Sequence, residues 1–196
     1  MFEQLPLADA TVRFDPHWLA AAEADLLFRN LQATIAWEVH RIRLFGREID
    51  SPRLSCWIGD TGASYTYSGT RFAPQPWPPA LSAVRERISA IAGERFNSVL
   101  ANLYRDGDDA MGWHSDDELE LGAQPIIASL SLGGSRRFLF KHRSDPATKL
   151  ALGLANGSLL LMSGDTQRNY RHALPRTRRP VAARINLTFR RIQTDI

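Results

Sequence analysis

The C-terminal half of the chain is a series of short apolar runs separated by turn-forming residues. From residue 98 onward the runs cover 98–104, 126–132, 137–140, 158–162, 171–174 and 182–191. Short runs bounded by Gly, Pro, Asn and Asp are typical of β-strands, and many in succession indicate a sandwich or a barrel. The pattern fits a double-stranded β-helix, or jelly roll, best. We therefore predict a mainly β fold with flanking helices.

The N-terminal half has a different pattern. Asp15-Pro16 predicts a helix start, with Asp as N-cap and Pro at the first helical position. This helix is expected to run to about Leu31, with Leu19, Ala22, Leu26 and Leu27 forming much of its apolar stripe. Residues 37–45 alternate like a strand. Trp77-Pro78-Pro79 predicts a second helix through Ile91 that ends near Gly93. We expect the helices to cover one sheet.

The last apolar run carries an unusual polar row. In Arg184-Ile-Asn-Leu-Thr-Phe-Arg190, alternation places Arg184, Asn186, Thr188 and Arg190 on one face of a strand. Ile185, Leu187 and Phe189 occupy the other. Two arginines facing the interior of a barrel need an anionic partner. A dicarboxylate would supply one, because the guanidinium fork matches a carboxylate bidentately. A solvated edge strand is the alternative interpretation.

Three further residues form a candidate metal site. His114 and Asp116 are two positions apart, so on a strand their side chains would share a face, and His172 follows 58 residues after His114. Two imidazoles and one carboxylate leave open positions on a non-haem iron. His-x-Asp alone can arise by chance, but together with the arginine-bearing strand it predicts an Fe(II)/2-oxoglutarate-dependent oxygenase.

Positive charge is concentrated towards the C-terminus. Residues 136–191 contain 13 Lys or Arg and two Asp, whereas residues 1–135 contain 11 Lys or Arg and 18 Asp or Glu. The basic clusters are Arg136-Arg137, Lys141-His142-Arg143, Arg168, Arg171 and Arg176-Thr-Arg178-Arg179. Such clustering indicates a partner with a phosphate backbone. A solvated surface in an arginine-rich proteome would give the same composition.

Other features narrow the class of protein. No run of eighteen apolar residues occurs, so no transmembrane helix or membrane partner is expected. The first residues lack the pattern of a secretory signal. The single cysteine, Cys56, excludes an internal disulfide. We expect a monomer in a reducing compartment, the cytoplasm if the chain is bacterial and the nucleus if it is eukaryotic.

Several motifs together resemble the AlkB family of oxidative nucleic-acid dealkylases. The resemblance runs from about Leu44 to Ile192. Its motifs are Asn102-Leu-Tyr104, His114-Ser-Asp116-Asp117-Glu118, residues 125–133 and 157–162, His172 and Arg184-Ile-Asn-Leu-Thr-Phe-Arg190. It implies that His114, Asp116 and His172 bind Fe(II), with 2-oxoglutarate as cosubstrate and O2 as oxidant. Arg184, helped by Tyr104, would pair with the far carboxylate of 2-oxoglutarate. The rest of that pocket would be lined by Asn102, Asn186, Thr188 and Arg190.

The resemblance also implies substrate-binding residues. Tyr65-Thr-Tyr67-Ser68-Gly69 resembles a nucleotide-recognition lid, in which Tyr67 and the His114 ring would sandwich a flipped base. Tyr65 and Glu118 would read its edge, and Asp117 would add negative charge. A hairpin whose tyrosines pack on the core is the structural alternative.

The comparison with this family bears on three further positions. Leu44-Phe45-Gly46 resembles the duplex-invading finger of a eukaryotic member that prefers double strands, and Phe45 would fill the gap left by the base. Core-edge packing of Phe45 is the alternative. Ser115 stands where that member is often basic, so this chain departs from the family's pattern at a contact to the nucleic-acid backbone but not at the iron site. Arg143 is a candidate contact to the lesion or its phosphate.

The expected activity is oxidative demethylation of 1-methyladenine- or 3-methylcytosine-type bases in DNA, and the sequence leaves open whether RNA is also a substrate. One dioxygenase domain is expected over 1–196, with N-terminal helices and lid in 1–97 and the jelly roll in 98–192. Two alternatives remain: an oxygenase of this fold that acts on a protein or small molecule, and a non-catalytic nucleic-acid-binding protein. Turnover stimulated by a small molecule, or an inert iron-loaded protein that binds DNA, would identify them.

Overall fold

The computed structural model describes residues 1–44, 47–63, 65–67, 70–145 and 147–193. The helices are α1 Ala21–Thr34, α2 Pro79–Ala92 and the short α3 Thr166–Asn169, with a 3-10 turn at Leu119–Leu121. The strands are β1 Glu3–Gln4, β2 Thr11–Asp15, β3 Arg41–Leu44, β4 Arg47–Asp50, β5 Leu54–Gly59, β6 Tyr65–Tyr67, β7 Thr70–Phe72, β8 Ser98–Tyr104, β9 Met111–His114, β10 Ile127–Gly133, β11 Arg136–His142, β12 Lys149–Leu154, β13 Leu159–Ser163, β14 Tyr170–Leu174 and β15 Arg184–Arg190. No helix in these ranges is long and apolar enough to span a membrane.

Two antiparallel sheets face each other. The larger has seven strands in the order β1-β2-β13-β10-β15-β8-β5, and the smaller has four in the order β12-β11-β14-β9. A core that includes Phe14, Leu160, Phe138 and Phe140 joins their inner faces. Both the crossed strand order and the packed sheets are those of a jelly roll, so the predicted fold class is confirmed.

The two long helices cover the outer face of the larger sheet. Leu27 and Leu31 of α1 and Leu81 and Ile88 of α2 pack in a second core with apolar side chains of the larger sheet. Helix α2 begins and ends as predicted, with Pro at its first position and Gly93 in the left-handed region at φ 69°. This arrangement buries β15 on both of its faces.

The prediction for the first helix was wrong at its start. Asp15 is the last residue of β2, opposite Leu159, and α1 begins only at Ala21. The Asp15 carboxylate instead accepts hydrogen bonds from the Met1 amine and the His17 backbone N–H. Leu26 is 64% exposed, so it is not part of the apolar stripe. The buried positions of α1 are Ala24, Leu27 and Leu31, with Leu19 buried ahead of the helix.

Two hairpins lie outside the large sheets. β3 pairs with β4, and β6, which carries Tyr65 and Tyr67, pairs with β7. Only their backbone pairing is described. The predicted finger residue Phe45 and the lid residue Ser68 lie outside the described residues. The division of the domain at residue 97 stays a prediction, and strands from both sides of it share the larger sheet.

Candidate metal and cosubstrate site

Two strands and a loop bring His114, Asp116 and His172 together. One potential ligand atom from each lies within 4.8 Å of the others. The two histidines are cross-strand partners on β9 and β14, so their rings share the inner face, with centroids 4.2 Å apart. The His172 Nε2 atom is 3.6 Å from the Asp116 Oδ2 atom. The three side chains therefore surround one point at the inner face of the smaller sheet.

Asp116 reaches this point in a way that differs from the prediction. β9 ends at His114, so the strand argument for the shared face of His114 and Asp116 was wrong. Instead, the loop after β9 is held by side chains. The Asp116 backbone N–H donates to Gln167 Oε1 at 3.0 Å, and the Ser115 hydroxyl donates to the Tyr170 carbonyl at 2.7 Å. Gln167 is 1% exposed and lies on α3. No local pattern in the sequence singles it out.

The electrostatics of the site suit a divalent cation. Burial would raise the pKa of Asp116, but Arg190, His172 and His114 together lower it to about 2. Burial, together with His114, lowers the pKa of His172 to about 3, although Asp116 opposes this shift. At neutral pH the cluster therefore offers an ionised carboxylate and a neutral His172 imidazole, the protonation states that metal ligation requires.

His114 is oriented by its own strand. Its Nδ1 atom is 2.9 Å from the Gly112 carbonyl, which leaves Nε2 available to an ion. Two imidazole nitrogens and one carboxylate oxygen form the donor set of non-haem Fe(II) oxygenases, and these residues fit that group.

The inner face of β15 carries the predicted polar row beside the metal ligands. A cleft there is lined by Asn102, Tyr104, His114, Asp116, His172, Arg184, Asn186, Thr188 and Arg190, among others. Asn186 lies at the centre of a hydrogen-bond network along the strand. Its Oδ1 accepts from Arg184 Nη2 at 2.8 Å and from Ser129 Oγ at 3.0 Å, while its Nδ2 donates to Thr188 Oγ1 at 2.7 Å. The row is therefore fixed before any ligand binds.

Arg184 has donors to spare. It is 1% exposed, and burial lowers its pKa to about 10, so it remains a cation at neutral pH. Its Nη2 also donates to Ser131 Oγ at 2.9 Å, but within the described ranges no acceptor is in hydrogen-bond reach of its Nε or Nη1. The guanidinium carbon lies 5.3 Å from the centroid of the Tyr104 ring. A buried guanidinium with two free donors fits the far carboxylate of 2-oxoglutarate.

Two other pocket residues already have protein partners. Arg190 donates through Nη2 to Asp116 Oδ1, so it holds the metal carboxylate as well as lining the cleft. Asn102 accepts from the Nε of Arg53 at 2.8 Å. Arg53 is 4% exposed and was missed from the sequence, because it lies in a loop with no periodic pattern around it.

One member of the basic clusters is structural. Arg136 is 4% exposed and donates to the carbonyls of Asp106, Asp109 and Pro175 at 2.8–2.9 Å. Backbone carbonyls therefore satisfy it, and it is not part of a basic surface. The exposed arginines of the C-terminal part are Arg137, Arg143, Arg168, Arg171, Arg176, Arg178, Arg179 and Arg191.

Asp117 and Glu118, the predicted substrate-binding carboxylates, directly follow Asp116 in the loop after β9. Arg143 donates through Nη2 to Asp117 Oδ2 and, at 2.8 Å, to the Ser115 hydroxyl. Arg143 thus braces the loop that carries Asp116 and partly neutralises Asp117. Glu118 is half-buried at the start of the 3-10 turn. Contacts of all three residues with a substrate stay a prediction, as do those of Tyr65 and Tyr67.

Comparison with known proteins agrees with this geometry. Residues 11–190 match the model of the 2OG-Fe(II) oxygenase superfamily. Bovine DNA oxidative demethylase ALKBH2 is 42% identical over 181 residues, which are 87% of this chain and 65% of the relative. The human ALKBH2 protein is 40% identical, with coverage of 87% and 69%. Human alkB homolog 3, named as an alpha-ketoglutarate-dependent dioxygenase, is 35% identical over 97% of this chain and 69% of its own length.

A solved structure shows the same fold. The structure titled OsALKBH1 superposes with a TM-score of 0.65 over 97% of this chain and 100% of that chain, at 16% identity. Because residues 11–190 match its family model, the chain belongs to the 2OG-Fe(II) oxygenase superfamily, an enzyme class that uses Fe(II) and 2-oxoglutarate. Within that class its similarity is to the AlkB-type proteins ALKBH2 and ALKBH3.

Proposed function

We propose that this chain is an oxidative demethylase of N-alkylated bases in nucleic acid, with DNA carrying 1-methyladenine or 3-methylcytosine as its substrate. O2 and 2-oxoglutarate are consumed, and the products are the repaired base, formaldehyde, succinate and CO2. The observation that carries the proposal is the buried row on β15 beside the His114–Asp116–His172 cluster, with the two free donors of Arg184. The choice of DNA rests on the names of the ALKBH2 relatives.

The residues would divide the chemistry in a simple way. His114, Asp116 and His172 would hold Fe(II), which when bound supplies the activation of O2. Arg184 would bind the far carboxylate of 2-oxoglutarate, and the network through Asn186 and Thr188 would fix the orientation of Arg184. Phe138 is 8% exposed, and its ring centroid lies 5.3 Å from that of His172. It would keep water away from the inner side of the cluster.

Recognition of the base would depend on charge. A base methylated at adenine N1 or cytosine N3 is cationic, so carboxylates near the cluster would favour it over the normal base. Asp117, which accepts a hydrogen bond from Arg143, and Glu118 are the carboxylates that would contribute to this preference. Tyr65 and Tyr67 would stack on or read the extruded base, whose extrusion costs a few kcal/mol.

The test is mass spectrometry of oligonucleotides that carry 1-methyladenine or 3-methylcytosine, incubated with Fe(II), ascorbate and 2-oxoglutarate. We expect a mass loss of one CH2 that requires 2-oxoglutarate and is absent in Asp116→Ala. Comparison of single-stranded DNA, duplex DNA and RNA then gives the strand preference, and Phe45→Ala should reduce duplex repair alone. A protein that binds metal and 2-oxoglutarate but leaves every oligonucleotide unchanged would refute the proposed substrate.

A further inference from the structure

The outer face of the smaller sheet carries a row of positive charges. Lys141 on β11 is the direct cross-strand partner of Lys149 on β12 and of Arg171 on β14. These three residues, called here the cationic row, lie on adjacent strands at about 4.8 Å per strand. Like charges placed directly opposite each other across strands destabilise a sheet. A row of three is therefore an arrangement that a bound anion would stabilise.

The described part of the chain does not supply that anion. Among the described residues no carboxylate lies within 4.0 Å of the charged nitrogens of Lys141, Lys149 or Arg171. Asp145, in the turn between β11 and β12, instead accepts hydrogen bonds from Thr148 Oγ1 and the Ala147 N–H. The cationic row is thus open to an external polyanion.

An exposed aromatic side chain lies on the same face. Trp113 is 47% exposed on β9, next to β14, and it precedes the inward-facing His114. The pairing of the two strands is irregular between His172 and Leu174, but the exposure of Trp113 shows that its side chain reaches solvent on the outer face. Between Trp113 and the cationic row, the next row of residues across the sheet is apolar, with Leu139 between Ala151 and Ala173. An exposed indole beside a line of cations is the combination that binds single-stranded nucleic acid, because bases stack on the ring while phosphates meet the charges.

We propose that this face binds a single-stranded stretch of nucleic acid, with Trp113 stacking on an unpaired base and the cationic row contacting consecutive phosphates. The proposal rests on the proposed function in taking nucleic acid as the partner, and it extends that function by assigning a binding surface outside the metal cleft. The strand would cross the sheet on the opposite side from the metal ligands, because Arg171 and His172 are sequence neighbours with opposite orientations.

The experiment measures binding of unmodified single-stranded oligonucleotides to the whole chain by fluorescence anisotropy at several salt concentrations. We expect Trp113→Ala to weaken binding of a fifteen-nucleotide strand between about fivefold and a hundredfold, and Trp113→Phe to retain most of the affinity. Arg171→Ala and Lys149→Ala should each make the negative slope of log K against log salt shallower by about 0.7. The matched control is Arg29→Ala, which removes an exposed charge from α1 behind the larger sheet. This control should keep a steeper slope than the two charge variants.

Length and strandedness provide the decisive comparisons. A mononucleotide, which cannot reach from Trp113 to two phosphates on the cationic row, should be affected less by every variant than the fifteen-nucleotide strand, and blunt duplex should be less affected by Trp113→Ala than that strand. Equal losses on duplex and single strand, or charge variants that behave like Arg29→Ala, would overturn the proposal. A concentration-dependent dimer that Trp113→Ala abolishes would assign the face to a second copy instead.

Failure of this surface is distinguishable from failure of the proposed function. Binding is measured on unmodified strands, so its result does not depend on turnover. Thermal melting of each variant checks that it folds. The two charge variants lie on different strands from Trp113, so the proposal can still be tested if one variant is unstable. If the protein demethylates its substrate but these substitutions do not change the binding of single strands, the proposed surface is refuted and the proposed function stands.

Discussion

The two sheets use polar side chains in different ways. β15, in the larger sheet, has every residue buried, with its apolar side chains under the helices and its polar side chains in the cleft. β14, in the smaller sheet, buries His172 but exposes Arg171 to solvent. A polar residue on a strand covered on both faces must be matched by the protein or by a ligand, whereas a polar residue on a half-exposed strand needs no partner. The alternation in β15 is therefore the stronger sign of a ligand.

The largest expected effect is that of replacing His172 on β14, and its neighbour Arg171 provides the control. His172→Ala removes one of three metal ligands, so we expect the affinity for Mn(II) or Fe(II) to fall more than about a hundredfold and turnover to become undetectable. Arg171→Ala, one residue away on the outer face, should keep metal affinity within about threefold. Metal titration of both variants measures this. Similar losses in the two variants would contradict the distinction between the faces.

A second test addresses the ligand of β15. Arg184→Met removes the buried guanidinium and its donors to a carboxylate, which are worth about 1.5–3 kcal/mol. We expect the 2-oxoglutarate concentration for half-maximal turnover to rise about 10- to 100-fold, with metal affinity nearly unchanged. Arg184→Lys, which keeps the charge but loses the fork, should lie between. Full activity of Arg184→Met at low 2-oxoglutarate would refute its role.

A smaller effect is expected from the support of the metal loop. Gln167→Leu leaves the buried Asp116 N–H without an acceptor, so the loop that carries the carboxylate loses its orientation. We expect metal affinity to fall about 10-fold or more, within the range for residues that orient ligands, while the 2-oxoglutarate requirement at saturating metal stays unchanged. Arg168→Ala, exposed on the same short helix, is the matched control. A changed 2-oxoglutarate requirement with unaltered metal affinity would count against this role.

The smallest effect is a pH dependence of stability in metal-free protein. Burial lowers the pKa of His172 from 6.5 to about 3, so between these values the unfolded chain binds a proton that the folded chain does not. The free energy of unfolding should therefore fall as the pH decreases below 6.5, by about 1.4 kcal/mol per pH unit from this residue. Denaturant unfolding at pH 6.0 and 4.5 should show a flatter dependence for His172→Gln than for the exposed-site variant His17→Gln. Equal slopes would mean that His172 is not held neutral.

Much of the fold follows from local sequence patterns. The runs that predict β8, β10, β13, β14 and β15 all agree with the observed strands within two residues at each end, because each is apolar and bounded by turn residues. The start of α1 did not follow. Asp-Pro is equally compatible with the end of a strand, and only the pairing of β2 with β13 decides between the two. Such pairing joins segments about 150 residues apart and leaves no local signal.

The residues of the site likewise divide into those that the sequence predicts and those that it does not. The row on β15 is predictable because its alternation conflicts with burial unless a ligand is present. Gln167, Arg53 and Arg136 are not predictable, because their partners are a backbone N–H, a side chain and carbonyls contributed by distant segments. Arg136 in particular looks like a surface cation in the sequence, yet three carbonyl groups enclose it. Charge counts alone cannot separate these two situations.

The register of β15 also constrains how the chain can change in length. Inserting one residue between Arg184 and Arg190 would shift one part of the strand by one position relative to its neighbours. Ile185 or Leu187 would then face the cleft, and an arginine would face the helices. A single substitution along this strand changes one face at one position, whereas an odd insertion exchanges its two faces at once. The turn between β11 and β12 has no such restriction, because it lies beyond the paired residues Lys141 and Lys149. Related chains should therefore differ in length at that turn while keeping seven residues from Arg184 to Arg190.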